Sequence, residues 1–140
     1  MKENMSSLSN ILKAAEQGNT VAQNNLGVMY LTGKGVLKDD AEALKWFLKA
    51  ATQEDASARF MLGWMYEKGN GVPLDYAEAV NWYSKAAEQG LESAQFNLGL
   101  MYEKGKGVQQ DHSEAVNWYS KAAEQGDASA QLKLDEMKDK

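Results

Sequence analysis

The sequence predicts an all-α solenoid of three 36-residue helix-pair units flanked by two helical caps, and three observations carry that reading. The first is self-similarity at an offset of 36 residues. Gly27, Gly63 and Gly99 share it, as do Leu26, Leu62 and Leu98, Tyr30, Tyr66 and Tyr102, and Trp46, Trp82 and Trp118. NWYSKAAEQG even occurs unchanged at 81–90 and 117–126. The second is helical spacing of apolar residues twice in every unit. The third is helix-end chemistry at the same offset. A fixed period of this length marks an array whose units bury their apolar faces by stacking on one another.

The first helix of each unit is expected over 21–32, 57–68 and 93–104. In the second unit Ala58, Leu62, Met65 and Tyr66 fall at i, i+4, i+7 and i+8, which is one helix face. Asn19, Asp55 and Asp127 stand where a first helix starts and can accept its orphan N–H groups, whereas Leu91 breaks that pattern in the third unit. A glycine pair follows each first helix, at 33/35, 69/71 and 105/107. Glycines ahead of a helix can cradle phosphate, but Gly69 follows a helix rather than a strand, and neither a third spaced glycine nor a lysine-serine pair follows. Gly69 therefore reads as the residue beyond a helix end, at positive φ. Gly71 is expected to turn the chain back, with Pro73 stiffening the exit. The second helix is expected over 40–53, 76–89 and 112–125, with Ala79, Trp82, Tyr83, Ala86 and Ala87 on one face. Asp39, Asp75 and Asp111, each followed three residues later by Glu42, Glu78 and Glu114, predict capping boxes. Gly90 and Gly126 are placed to end second helices.

Composition narrows the function classes. Among 140 residues, 15 basic and 20 acidic side chains give a net charge of −5, which argues against nucleic acid or an anionic membrane as the main ligand. There is no cysteine, which excludes disulfides and thiolate zinc sites. The start, MKENMSSLSNILKAAEQG, has no apolar stretch of signal-peptide type, and no apolar run approaches the ~20 residues of a membrane span. The expected chain is soluble and not membrane-inserted. It is cytoplasmic by default, and periplasmic or secreted if a leader has been removed.

The unit A-x-x-x-L-G-x-M-Y-x-x-G-x-G-V, then D-x-x-E-A-x-x-W-[YF]-x-K-A-A, resembles the Sel-one-like repeat, a relative of the tetratricopeptide repeat with a longer inter-helix loop. The resemblance covers 19–126 as three units, 19–54, 55–90 and 91–126. Residues 1–18 and 127–140 then read as capping helices, of second-helix and first-helix type. Asn10 stands in the tryptophan position, Asp135 in the glycine position and Lys138 in the tyrosine position, as expected of polar array ends and of a short, complete array. The resemblance implies a right-handed superhelical stack and a noncatalytic protein-interaction module. Some relatives have been described as binding or processing penicillin-like compounds.

Tetratricopeptide-type packing further implies inner-facing positions Asn24, Val28 and Leu31, then Phe60, Trp64 and Glu67, then Phe96, Leu100 and Glu103. Partner-binding candidates are accordingly Trp64, Phe60, Phe96, Arg59, Asn24, Val28, Leu100, Glu67 and Glu103. Trp64 stands out because its counterparts are Val28 and Leu100, and interface anchors favour tryptophan. Arg59, the single arginine, replaces Gln23 and Gln95; it either grips a partner carboxylate or pairs with Asp55. Gln23, Gln95 and Asn97 either bond a partner backbone or satisfy local helix ends. No cofactor or metal is expected: His112 is the lone histidine, and no second ligand stands at helical spacing. No serine has a lysine three residues on, and Ser84-Lys85 and Ser120-Lys121 are adjacent, so β-lactam or peptidoglycan hydrolysis ranks last. The expected partner is a protein or peptide. A structural or designed scaffold, or self-assembly through the terminal helices, is the alternative.

Overall fold

The computed structural model describes residues 2–138, with side chains from Ser7 onward. Those residues form eight helices and no strand: α1 Lys2–Glu16, α2 Thr20–Thr32, α3 Asp40–Thr52, α4 Ala56–Lys68, α5 Tyr76–Glu88, α6 Glu92–Lys104, α7 His112–Glu124 and α8 Ala128–Lys138. Helices α2 and α3, α4 and α5, and α6 and α7 are the hairpins of the three units. The units stack through α1 on α2, α3 on α4, α5 on α6 and α7 on α8, while α2 also touches α4. The first helices thus lie side by side in one layer, and the second helices form the other.

The repeated glycine explains how each hairpin closes. A Cβ built on Gly27, Gly63 or Gly99 would lie 2.5, 2.5 or 2.6 Å from a ring atom of Phe47, Tyr83 or Tyr119. The ring of the second helix therefore rests on bare backbone of the first, and the three rings are fully buried. Leu26, Leu62 and Leu98 and the alanines of both helices fill the remaining space. The tryptophans tie each unit to the one before. Trp46 packs with Leu8, Ile11 and Leu12 of α1, Trp82 joins the cluster around Phe47, and Trp118 joins the cluster around Tyr83. Trp82 and Trp118 are only half-buried, and lysine ammonium groups lie over their outer faces at 4.7 and 4.5 Å from the ring centres, from Lys85 and Lys121.

Helix ends follow the sequence with one correction. Asn19, Asp55 and Asp127 accept from the N–H groups of Ala22, Ala58 and Ala130, and Leu91 makes no such bond. Asp39, Asp75 and Asp111 accept from the N–H groups of Glu42, Glu78 and Glu114. The reciprocal half of the expected capping box is absent here. The N–H groups of Asp39, Asp75 and Asp111 donate instead to the carbonyls of Tyr30, Tyr66 and Tyr102, at 2.9, 3.0 and 3.0 Å. The end of the first helix thereby satisfies the start of the second, which fixes the hairpin angle. Gly71 keeps the turning role expected of it and has a second one. Both it and Gly107 have positive φ, but they also press on the preceding unit: a Cβ would meet Asp40 at Gly71 and the backbone of Tyr76 at Gly107.

One position breaks a local rule. Gly18, Gly90 and Gly126 have φ of 99°, 97° and 94°, and the same position in the first unit holds Glu54 at 67°. Asp55 N–H reaches Ala50 O and Glu54 N–H reaches Ala51 O, the paired bonds of a Schellman turn. The left-handed conformation at a side-chain-bearing residue costs about 1–2 kcal/mol, and the turn's hydrogen bonds hold it there.

Candidate functional site

The candidates on α2, α4 and α6 fall into two rows. The first row is a set of latches between units. The Gln53 amide donates to Gln23 Oε1 at 2.8 Å and to Gly18 O at 3.1 Å, and buried Gln23 donates onward to Ala15 O. Gln125, Gln95 and Ala87 repeat the arrangement, with Gln125 also reaching Gly90 O. In the middle, Arg59 Nη1 donates to Gln89 Oε1 at 3.0 Å, and Gln89 donates to Glu54 O. Gln23 and Gln95 are thus buried and spent on helix-end carbonyls of the chain, the second of the two roles their sequence positions allow, and not on a partner backbone. Arg59 pairs with Gln89 rather than with Asp55, whose carboxylate caps α4. The latch glutamines 53, 89 and 125 are absent from the sequence-based candidates, although they recur at the repeat offset.

The second row is formed by the remaining candidates, on α2, α4 and α6. Phe60 lies tilted on Tyr83 and Phe96 on Tyr119, with ring centres 5.6 Å apart in both pairs. Asn24 holds the corresponding place in the first unit, and its Oδ1 is buried with no hydrogen-bond partner among the described residues. Trp64 is half-buried and packs against the cluster that contains Leu31 and Phe47. Leu100 packs against the last cluster, and Val28 is 38% exposed. Glu67 and Glu103 are half-buried, and each accepts the hydroxyl proton of a buried tyrosine at 2.6 Å, from Tyr83 and Tyr119.

Those glutamates explain a within-chain covariation. In the first unit the position of Glu67 is Leu31 and that of Tyr83 is Phe47. A buried hydroxyl needs an acceptor; where the ring has none, the acceptor is replaced by a leucine that is itself buried. Burial and the neighbouring carboxylate both push the Tyr83 phenol well above its ordinary value of 10.0, and the same causes act on Tyr119. Both phenols therefore stay protonated donors.

A cleft of about 510 Å³ opens at the last unit, lined by Glu103, His112, Ser113, Val116 and Met137. Its position is the one at which Gly71 and Gly107 press on Asp40 and Tyr76 in the preceding pairs of units. Val116 is accordingly 38% exposed where its counterpart Val80 is 8%. His112 is exposed there with Nε2 3.3 Å from the Gln110 amide nitrogen. Among the described residues no group of three or more His, Asp or Glu is arranged to hold a metal. Lys85 and Lys121 place their ammonium groups over the Trp82 and Trp118 rings. No helix among the described residues is long and apolar enough to cross a membrane.

Comparison with known proteins agrees with the architecture. The family profile of the Sel1 repeat matches three times, at residues 20–55, 56–91 and 92–127. A protective antigen present in uropathogenic Escherichia coli strains, with an SLR fold, is 46% identical over 91% of this chain, with a TM-score of 0.89. This chain spans only 27% of that antigen's length. A Sel1 repeat protein from Oxalobacter formigenes is 40% identical, with a TM-score of 0.85, and the match covers 93% of this chain and 98% of that one. Cysteine rich protein B of Helicobacter pylori shares the fold at 23% identity and a TM-score of 0.75, over 95% of this chain and 96% of its own. No curated protein gives a significant match. With three consecutive matches across most of its length, the hairpin array described above belongs to the Sel1 repeat family.

Proposed function

We propose that the chain is a noncatalytic interaction module and that a peptide or partner protein lies across α2, α4 and α6 on the row formed by Val28, Phe60, Trp64, Phe96 and Leu100. The observation that supports this most is Trp64. Residues that build the stack recur at the repeat offset, whereas Trp64 does not, and it remains half-buried rather than enclosed. Large aromatic side chains in such positions are favoured anchors of interfaces. Phe60 and Phe96 extend the apolar strip, and each rests against a buried tyrosine ring, an arrangement that favours a low entropic cost on binding. Sel1 repeat proteins typically serve as interaction scaffolds, which is the same class of role.

A displayed library of random peptides, selected on the purified chain, tests the reading. Peptides so obtained are expected to lose at least about 30-fold in affinity for Trp64→Ala, the ~2 kcal/mol of an interface anchor. They should keep their affinity for Leu37→Ser, a change at a residue that is 90% exposed in a loop. Selected peptides that bind Trp64→Ala as well as the parent would overturn it.

A further inference from the structure

The two tethered glutamates differ in one respect. Glu103 has a cation: Lys133 of α8 places its Nζ 3.6 Å from Glu103 Oε1. The residue 36 positions before Lys133 is Asn97, on α6 of the unit that follows Glu67. Asn97 is neutral, and among the described residues no lysine or arginine comes within ion-pair distance of Glu67. Glu67 is thus a half-buried carboxylate held by Tyr83 through Oε1, and among the described residues no hydrogen bond reaches its Oε2. It stands three residues after Trp64 on the same helix face. The last unit carries its own counter-ion on this row, and the middle unit lacks one beside its unrepeated tryptophan.

Resting on the reading that a partner occupies this row, we propose that Trp64 and Glu67 form a cation subsite that takes a basic side chain of that partner. The side chain fills at Glu67 the place that Lys133 fills at Glu103. The carboxylate supplies a charge-assisted hydrogen bond and the indole face attracts the same cation. The array then reads a basic residue at its middle unit and apolar residues along the flanking strip. The chain's net charge of −5 favours the approach of such a partner.

The probe is Nα-acetyl-arginine amide, with Nα-acetyl-citrulline amide as its neutral isostere, titrated into the labelled protein while the indole N–H resonances are followed by NMR. Trp64 is assigned by its loss in Trp64→Phe. The arginine probe is expected to move the Trp64 resonance with an apparent affinity at least about fivefold above that of citrulline, as one charge-assisted bond provides. The preference should vanish in Glu67→Gln, whose amide oxygen still accepts from Tyr83, and in Asn97→Lys, which installs an internal cation. Equal response to both probes, no response of Trp64, or an undiminished preference in Asn97→Lys would overturn the proposal. If selected peptides depend on Trp64 but show no preference for a basic residue, the subsite fails while the groove stands. If they do not depend on Trp64, both fail.

Discussion

Replacing Gly63 by valine is expected to abolish the cooperative fold of the middle unit. A Cβ at this position would sit 2.5 Å from Cδ1 of Tyr83 and 2.7 Å from Cε1, well inside contact distance. Tyr83 is fully buried and is also held by its hydroxyl on Glu67, so the ring has nowhere to swing. The alternatives are to part α4 from α5 or to expel the ring, and loss of a buried aromatic costs about 3–5 kcal/mol. Against a typical domain stability of about 5–15 kcal/mol, that is a large fraction. Gly63→Ala shows the same clash with less bulk and gains up to about 1 kcal/mol of helix propensity, so an intermediate loss is expected. Urea unfolding followed by circular dichroism orders the three proteins. Parent-like midpoints for both variants would show that the ring does not sit in this notch.

The second large effect concerns the pair Glu67 and Tyr83. Tyr83→Phe removes the donor and leaves a half-buried carboxylate without its hydrogen bond, a cost of about 1–3 kcal/mol. Glu67→Leu strands the buried hydroxyl and should cost a similar amount. The double variant recreates the Leu31 and Phe47 combination of the first unit and is expected to recover most of the loss. A double-mutant cycle by urea unfolding therefore yields a coupling of at least about 1 kcal/mol; additive losses would contradict the pairing. The phenol adds a pH signature. Its folded-state pKa is raised above 10.0 by burial and by Glu67, so its contribution is complete below pH 10 and declines as pH rises further, because only the unfolded chain then gives up the proton. Tyr83→Phe should lose that part of the alkaline slope.

The array was legible because every structural requirement recurs at one offset. The 36-residue spacing of Gly27, Gly63 and Gly99 announces the close helix approach before any ring is seen against it. Helix starts were equally plain at Asn19, Asp55 and Asp127, since a cap bond is local. Non-local satisfaction was not legible. The N–H groups of Asp39, Asp75 and Asp111 find tyrosine carbonyls nine residues back, which no capping motif encodes. The latches join side chains 30 residues apart, so sequence leaves the role of Gln23 and Gln95 open between a partner and a helix end, and nothing local marks Gln53, Gln89 and Gln125. Glu67 reads from the sequence as an inner-facing candidate, but its tether and its missing counter-ion emerge only when Tyr83 and Lys133 are placed in the fold and Asn97 is set against Lys133.

Amide chemical-shift mapping of the isotope-labelled chain with a library-selected peptide tests the binding row most directly. The largest changes are expected in α4 and α6, centred on Phe60, Trp64, Phe96 and Leu100, with smaller changes near Val28. Changes concentrated instead in α3, α5 and α7, or around the cleft at His112 and Met137, would contradict the account.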